Sequence, residues 1–588
     1  MLGTAVVLIP GFALLLADGY RLGALSLWRD EAYTLDGAGR PVARILAMLP
    51  HTDAVNSPYY VVMHGASAVL GTSATALRLP SLLGMAVAAV VTAVIGRRLA
   101  HAARLPAPAL TGVLAGLLMV TAPQVTKYAQ EARSYGLVTM CATIASYLLL
   151  RALADDRWRW WAAYSGAILL AGLLNLLALL LLAAHGVTVW AAGARLRQAG
   201  EPAGRPAPEQ PTGQAAPELP GGQAAPELRG GQAAAELRGG QAAPELPGGQ
   251  AASLSGAAAT RGSAAAGPRW LLLATVVTVL LSPLAAAGFR QRHQISWLAR
   301  PGGNAVSHLV VGLAGSDALV PLAAGLVVGC VIACLAVRPR AAVDIATLAG
   351  PWLVLPPAIL LAVSQVHPMY DSRYIVYTVP AFALLAAGGL AWLTRVTARI
   401  LRGQLAGVPA RWQAVLAWIP AALALALLAV LVIGPQQAIR LPGSRPDNLR
   451  QAAAVIAARA RPGDAVLYLP SNKRVFSMGY PAPYRRLRDV ALALSPAAAD
   501  NLIGTEVPVP VLRARFASVQ RVWVISGRSR RLFRHPVSRL NKAEVALLRT
   551  FHLIGRWYVG QGMVSLFGRN EHHPRAARLD GRSHLRPA

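Results

Sequence analysis

AVVLIPGFALLLADGYRLGAL, residues 5–25, leads directly into SLWRDEAYTLDGAGR, residues 26–40. The first stretch is apolar and long enough to cross about 30 Å of hydrocarbon as a helix, a task that takes roughly 20 residues. Immediately beyond it, Asp30 and Glu31 stand side by side between Trp28 and Tyr33. A lipid-soluble run thus ends in paired carboxylates and aromatic rings, and both halves of that pattern recur along the chain.

The first half decides the fold class. The chain of 588 residues is 55% hydrophobic and only 14% charged, with a mean hydropathy of +0.46, which leaves too little polar surface for a soluble globule. Apolar runs of about 18 to 25 residues repeat along it. In lipid only helices or closed barrels satisfy the backbone, and these runs lack the alternation of barrel strands. The expected fold is an all-α polytopic membrane domain of about eleven helices, centred near residues 15, 88, 114, 142, 167, 183, 278, 327, 354, 383 and 424. The run from Ala5 to Leu25 has no early basic cluster and no obvious small-residue cleavage site, so it reads as a retained first helix.

The formal net charge of +31 is placed in clusters: Arg97, Arg98 and Arg104; Arg151, Arg157 and Arg159; Arg338 and Arg340; Arg395, Arg399, Arg402 and Arg411. Each follows an apolar run, which marks these loops as cytoplasmic by the positive-inside rule. Their expected partner is an anionic membrane surface and not nucleic acid. Trp158, Trp160 and Trp161 sit at such an edge and read as an interfacial belt. Cys141, Cys330 and Cys334 lie within apolar runs as small buried hydrophobes.

Two segments break the pattern. Residues 193–268 are rich in Ala, Gly, Pro and Gln, with near-identical copies of a unit like APELPGGQA, and are expected to be a disordered cytoplasmic loop whose deletion spares function. After Gly434 the apolar runs stop. RPDNLRQAAAVIAARARPGDAVLYLP reads as helix, turn and strand, RVWVISG as a strand, NKAEVALLRTF as a helix, and RWYVGQGMVSLFGR as edge strands. The organisation expected is therefore a membrane domain over 1–434 interrupted by 193–268, a small extracytoplasmic α/β domain over 435–570, and a disordered tail over 571–588.

With the basic clusters inside, four outward segments hold nearly all the unusual polar residues: the loop from Trp28 to about Leu79, KYAQEARSYGL at 127–137, GFRQRHQISW at 288–297, and HPMYDSRYIVYTVPA at 367–381. Ionisable groups at a membrane edge are costly unless paired or used, so their convergence on one face points to a site. Carboxylates act as general bases on hydroxyls, guanidinium and ammonium groups hold phosphate, and aromatic rings stack on sugar faces. That combination suits glycosyl transfer. With nucleotide sugars absent outside and no Gly-rich phosphate loop following a strand, the donor is expected to be a lipid-borne sugar phosphate.

At these residues the chain resembles the GT-C superfamily of integral-membrane glycosyltransferases, in the branch of protein O-mannosyltransferases, lipid A aminoarabinose transferases and RgtA-like proteins, with a likeness to actinobacterial mannosyltransferases. The motifs that carry it are WRDEAYT, DAVNSPYYVVMH followed by ALRLPSLL, YAQEARSYGL and SRYIVYTVPA, in order over about residues 1 to 400. The resemblance implies inverting transfer of mannose or another hexose or pentose from a polyprenyl-phosphate donor. The acceptor would be a glycan, lipid or protein at the outer face of a bacterial plasma membrane. It assigns Asp30 as general base, and Glu31 to orienting the acceptor or balancing cations. Arg133, Arg373 and Lys127 fall to the donor phosphate, and Asp53, Tyr33, Tyr59, Glu131 and Tyr374 to sugar or acceptor contacts. Where many relatives carry His-Pro-Pro this chain has Asn56, Ser57 and Pro58, which leaves the role of Asp53 open. No cofactor is specified; a divalent cation stays open because some GT-C enzymes use one, although His51 and His64 lack a paired ligand spacing. A lipid-linked saccharide transporter is the rival reading, but it calls for polar groups near mid-membrane. Asn175, the obvious polar residue in a long apolar run, is better placed at a hairpin tip.

Overall fold

The computed structural model describes residues 5–105, 107–200, 248–336, 342–405, 407–528 and 538–570. Among these, eight helices are long and apolar enough to cross a bilayer: Ala74–Ala102, Tyr135–Asp155, Leu176–Gln198, Ala266–Arg290, Asp317–Ala336, Ile345–Val366, Ser372–Gln404 and Ala410–Ile439. Pro108–Thr121 and Pro123–Ala129 form a further, broken span, bent by 67°. Pro123 lacks an amide hydrogen and opens the second piece, so the ladder stops there. The chain is a multi-pass helical membrane protein with a small C-terminal region of strands.

All eleven expected centres fall in helices, but two are shorter than a full span. The run from Ala5 to Leu25 is not one helix: Ile9–Gly19 ends where Tyr20 turns extended, at ψ 120°. Trp158–Leu174 is 17 residues long and opens with the tryptophan cluster. That cluster is not a simple belt either. Trp161 is buried and donates to Asp156 Oδ1 at 3.2 Å, while Trp160 is sandwiched by the Arg151 and Arg159 guanidinium groups. The expected loop at 193–268 is entered from both ends by the helices Leu180–Gly200 and Gly248–Arg290, and residues 201–247 lie outside the described residues. So do Arg338, Arg340 and the 571–588 tail.

Close helix packing fixes the end of the bundle that matters here. Without a hydrophobic drive between helices in lipid, small residues set how near two backbones come. A Cβ on Gly84 would lie 2.9 Å from the carbonyl carbon of Gly136, so Ala74–Ala102 and Tyr135–Asp155 meet backbone to backbone. At that crossing the Ser81 hydroxyl donates to Arg133 O at 2.8 Å and anchors the turn over residues 130–134. The polar segments lie at this end of the helices, and the clusters at Arg97–Arg98, Arg151 and Arg395–Arg402 lie at the other.

The C-terminal region holds a five-stranded sheet in the order β2-β1-β5-β7-β6, with β1 Ala465–Leu469, β2 Arg488–Asp489, β5 Arg521–Gly527, β6 Phe551–Val559 and β7 Gly562–Arg569. β3 Leu492–Leu494 and β4 Thr505–Glu506 make a separate short pair. β1 runs parallel to β2 and β5, while β7 is antiparallel to β5 and β6. Both sheet faces are covered, so β1 is apolar at every position: Val466 and Tyr468 enter one core and Ala465, Leu467 and Leu469 the other. Of the two expected edge strands only β6 is at an edge; β7 is paired on both sides, which explains its greater burial.

The core beneath one sheet face also takes in Ala32, from the helix Arg29–Ala38. Gly479 packs beside it in ordinary contact, and a Cβ at Gly479 would crowd Leu449 Cδ1 of the same core at 2.9 Å. The loop beyond the first helix is therefore a shared wall between the membrane bundle and the strand domain.

Candidate active site

The helix Arg29–Ala38 starts at Trp28, whose backbone N–H donates to Glu31 Oε2 at 3.3 Å. Successive helical residues point about 100° apart, so the adjacent acids face different surroundings. Glu31 is 0% exposed and clasped by Arg78, Nε to Oε1 at 2.7 Å and Nη2 to Oε2 at 2.8 Å, with the Ala132 N–H donating to Oε1 at 2.9 Å. Burial opposes its charge, but Arg78 outweighs that, and the carboxyl is held below the ordinary glutamate range. Both Glu31 oxygens are thus engaged, by Arg78 and by backbone N–H groups.

Asp30 faces the other way. Its Oδ2 lies 2.9 Å from Arg373 Nη1, across 343 residues of sequence. Arg373 is shared: its Nε is 3.1 Å from Asp371 Oδ2, its backbone N–H donates to Asp371 Oδ1 at 3.1 Å, and its guanidinium carbon stands 5.6 Å from the Trp297 ring and 5.4 Å from the Tyr374 ring. Asp371 caps the short helix Ser372–Thr378, which is why SRY projects Arg373 toward the first loop.

Arg133 approaches from the third direction. Its Nη2 reaches Asn56 Oδ1 at 3.5 Å, and among the described residues it forms no ion pair. Burial works against its charge, but Tyr135, Asp30, Tyr60 and Asp53 surround it and hold the guanidinium well above its ordinary value. Asp53 is fixed in a left-handed conformation at φ 52°, accepts from Asn56 Nδ2 at 2.6 Å and from the Tyr60 hydroxyl, and so points its charge at this pocket. Asn56, in place of the histidine of the resemblance, is the link between Asp53 and Arg133. An aromatic floor runs beneath: the Tyr128 and Tyr135 centroids are 5.1 Å apart, and Tyr135 and Tyr374 6.5 Å. The Lys127 ammonium stands 5.2 Å from the Tyr128 centroid at the near end of that floor.

Two residues expected to contact sugar or acceptor lie inward. Tyr59 is fully buried in the bundle core, with its hydroxyl sealed from solvent. Glu131 is buried and ion-paired with Arg445, which also donates to Lys127 O and Gln130 O, both at 3.3 Å. Burial pushes the Glu131 carboxyl up, with Arg445 and then Lys127 opposing. Tyr33 is turned to the strand domain, its hydroxyl donating to Asn472 O at 3.3 Å; burial and the charge on Asp30 push its phenol up. His64 Nδ1 is 2.8 Å from Ala38 O, a structural contact. Among the described residues no group of three His, Cys, Asp or Glu side chains has metal-ligating placement.

GFRQRHQISW is among the expected outward segments, but which of its residues meet the site is set by folding and not by a local pattern. Gln291 accepts from the Ala54 N–H at 2.9 Å and Gln294 from the Asp53 N–H at 3.3 Å, so the GFRQRHQISW segment braces the loop carrying Asp53. Trp297 of the same segment stays 63% exposed above Arg373. Arg78, within ALRLPSLL, and Arg445 are buried partners of acids. Asn175 caps the turn between two helices and donates to Tyr374 O at 3.3 Å, at the expected hairpin tip.

No protein-family model matches the chain, and no curated protein matches it. Among solved structures, it is similar to ArnT from Cupriavidus metallidurans in the apo state, with 14% identity, 96% of this chain and 97% of that one covered, and a TM-score of 0.48. The same protein bound to undecaprenyl phosphate gives 16% identity, the same coverage and a TM-score of 0.47. An Archaeoglobus fulgidus oligosaccharyltransferase in complex with Zn and sulfate gives 12% identity, 96% of this chain and 73% of that one, and a TM-score of 0.43. It is the side-chain geometry, and not these likenesses, that bears on chemistry.

Proposed function

We propose that the chain is a membrane glycosyltransferase that moves a sugar from a polyprenyl-phosphate donor to a hydroxyl-bearing acceptor on the extracytoplasmic side, by inverting displacement. The observation that carries the reading is the ion pair of Asp30 with Arg373, with Arg133 facing the same carboxylate. A base and two cations share one pocket at a membrane edge, where charges persist only if paired or used.

In this reading Asp30 takes the proton from the acceptor hydroxyl as that oxygen attacks the anomeric carbon. The bond to the phosphate oxygen breaks on the opposite face, and phosphate leaves without needing a proton donor. Arg133, free of any ion pair among the described residues, receives the leaving phosphate together with Lys127. Arg373 has a second task. It holds the Asp30 carboxylate at 2.9 Å, and a donor phosphate competing for its guanidinium frees that carboxylate to meet the acceptor hydroxyl as the substrate arrives. A preorganised cation at the departing oxygen is worth about 2.7 to 4 kcal/mol of barrier. Mannose and arabinose are the two sugars to test first.

The test is to incubate membranes with radiolabelled polyprenyl-phosphate mannose or arabinose, with wild-type or Asp30→Asn protein. One label is expected to move with wild type and to stay on the lipid with the variant. Equal transfer by Asp30→Asn ends the base assignment; no transfer of any polyprenyl-phosphate sugar by wild type ends the reading itself.

A further inference from the structure

A cavity of about 460 Å³ opens between the start of the helix Ala305–Ala314 and the turn that precedes Arg373. Its size lies within the roughly 300 to 1,000 Å³ typical of small-molecule sites. The walls present the amide of Asn304, the imidazole of His308, the phenol of Tyr370 and the carboxylate of Asp371, over a floor opened by Gly302 and Gly303. No lysine or arginine lines it, and one wall is an acid. With the acid paired to Arg373 and no cation among the lining residues, that chemistry offers a phosphate little and suits a ligand rich in hydroxyl groups, which exchanges hydrogen bonds with amide, imidazole and phenol and donates to the remaining lone pairs of the carboxylate.

The cavity also leads to the proposed base. Asp371 is at once its wall and the partner of Arg373 at 3.1 Å, and Arg373 meets Asp30 at 2.9 Å, so the cleft ends one guanidinium away from the carboxylate. Trp297 stands against the same guanidinium with most of its ring in solvent, a flat apolar face of the kind on which a sugar ring stacks. The cations around Arg133 and the neutral, acid-edged cleft are therefore two chemically distinct halves meeting at Arg373.

We infer that this cleft is the acceptor subsite and takes an uncharged or amino-substituted saccharide, while the donor phosphate stays on the Arg133 side. The inference rests on the glycosyl-transfer reading above. Gly303 supplies the probe: it lines the cleft and a Cβ there meets nothing within 4 Å, so Gly303→Trp adds an indole at the cleft wall without forcing the backbone.

Full-length protein in nanodiscs, wild type and Gly303→Trp, is examined by saturation-transfer NMR with methyl α-mannoside and methyl α-arabinofuranoside, and separately for undecaprenyl phosphate binding by native mass spectrometry. Glycoside binding is expected in wild type and about tenfold weaker in Gly303→Trp, a loss of one contact's worth of affinity, with undecaprenyl phosphate binding unchanged. His308→Ala, at an exposed side chain, is expected to weaken the glycosides in the same direction. No glycoside signal, an equal signal in both proteins, or a loss of undecaprenyl phosphate binding in Gly303→Trp overturns the inference, the last by making the cleft the donor's. A wild type that binds glycosides there but never consumes a polyprenyl-phosphate sugar overturns the transferase reading and supports the saccharide site.

Discussion

Arg29 Nε lies 2.6 Å from Asp447 Oδ2, so the residue next to the proposed base is tied to a fully buried carboxylate at the entrance of the C-terminal domain. Ala32 and Tyr33, on the same helix, are held by that domain as well. The membrane loop that carries Asp30 therefore takes its orientation from both halves of the protein. Asp447→Asn is expected to lower kcat about tenfold, equivalent to roughly 1.4 kcal/mol of misplacement. Donor KM should change by less than about twofold, because the cations stay in place. Steady-state kinetics in proteoliposomes separates the two parameters.

Glu31 and Arg78 form a buried ion pair. Arg78→Ala leaves the Glu31 carboxylate buried without a counter-ion, and breaking such a pair from one side costs about 3–5 kcal/mol. A marked drop in the temperature at which the detergent-solubilised protein loses its monodisperse chromatographic peak is expected. The double variant Glu31→Gln with Arg78→Gln should recover part of it, which a catalytic role for either residue would not predict.

Arg133→Ala and Arg373→Ala should differ in kind. Arg133 faces the leaving phosphate in the proposal, so its loss raises donor KM and lowers kcat together. Arg373 also positions Asp30 through their 2.9 Å ion pair, so its removal should lower kcat more than it raises donor KM. Steady-state kinetics at varied donor concentration distinguishes a phosphate ligand from a ligand that also places the base.

The C-terminal domain carries its own pH dependence. Glu544 is buried, accepts from Asn541 Nδ2 at 2.8 Å, and leaves Oε1 without a donor; burial pushes its carboxyl up to about 7. Between the ordinary glutamate value near 4.5 and that value, the folded chain keeps a proton that the unfolded chain has released, so stability falls as pH rises through the window. The full effect is on the order of 3 kcal/mol. Glu544→Gln should abolish the decline, visible as slower hydrogen exchange of β5 than in wild type at pH 8 and similar exchange at pH 4.

Much of this was readable in the sequence because it rests on length and charge. Apolar runs long enough to span a bilayer need no tertiary information, and every expected helix centre lies in a helix. Asp30, Arg133 and Arg373 stood out for a related reason, since a charge beside an apolar run is expensive. What could not be read was direction. Asp30 and Glu31 are neighbours in sequence, yet one helical step sends Glu31 into the bundle against Arg78. Tyr59 and Glu131 sat inside the right motifs and still turned inward. Partners such as Arg445, 314 residues from Glu131, are supplied by folding alone, and no local pattern marks them. The contact of the exposed Trp297 with Arg373 likewise joins segments far apart in the chain.

The seam at Ala32 also sets an order of assembly. Residue 29 leaves the ribosome 418 residues before residue 447, so the loop waits through the synthesis of nearly the whole bundle for the wall that completes it. In a chain that has inserted its helices but has not yet reached Asp447, Arg29 has no such partner, and the helix that carries Asp30 stands on one of its two supports.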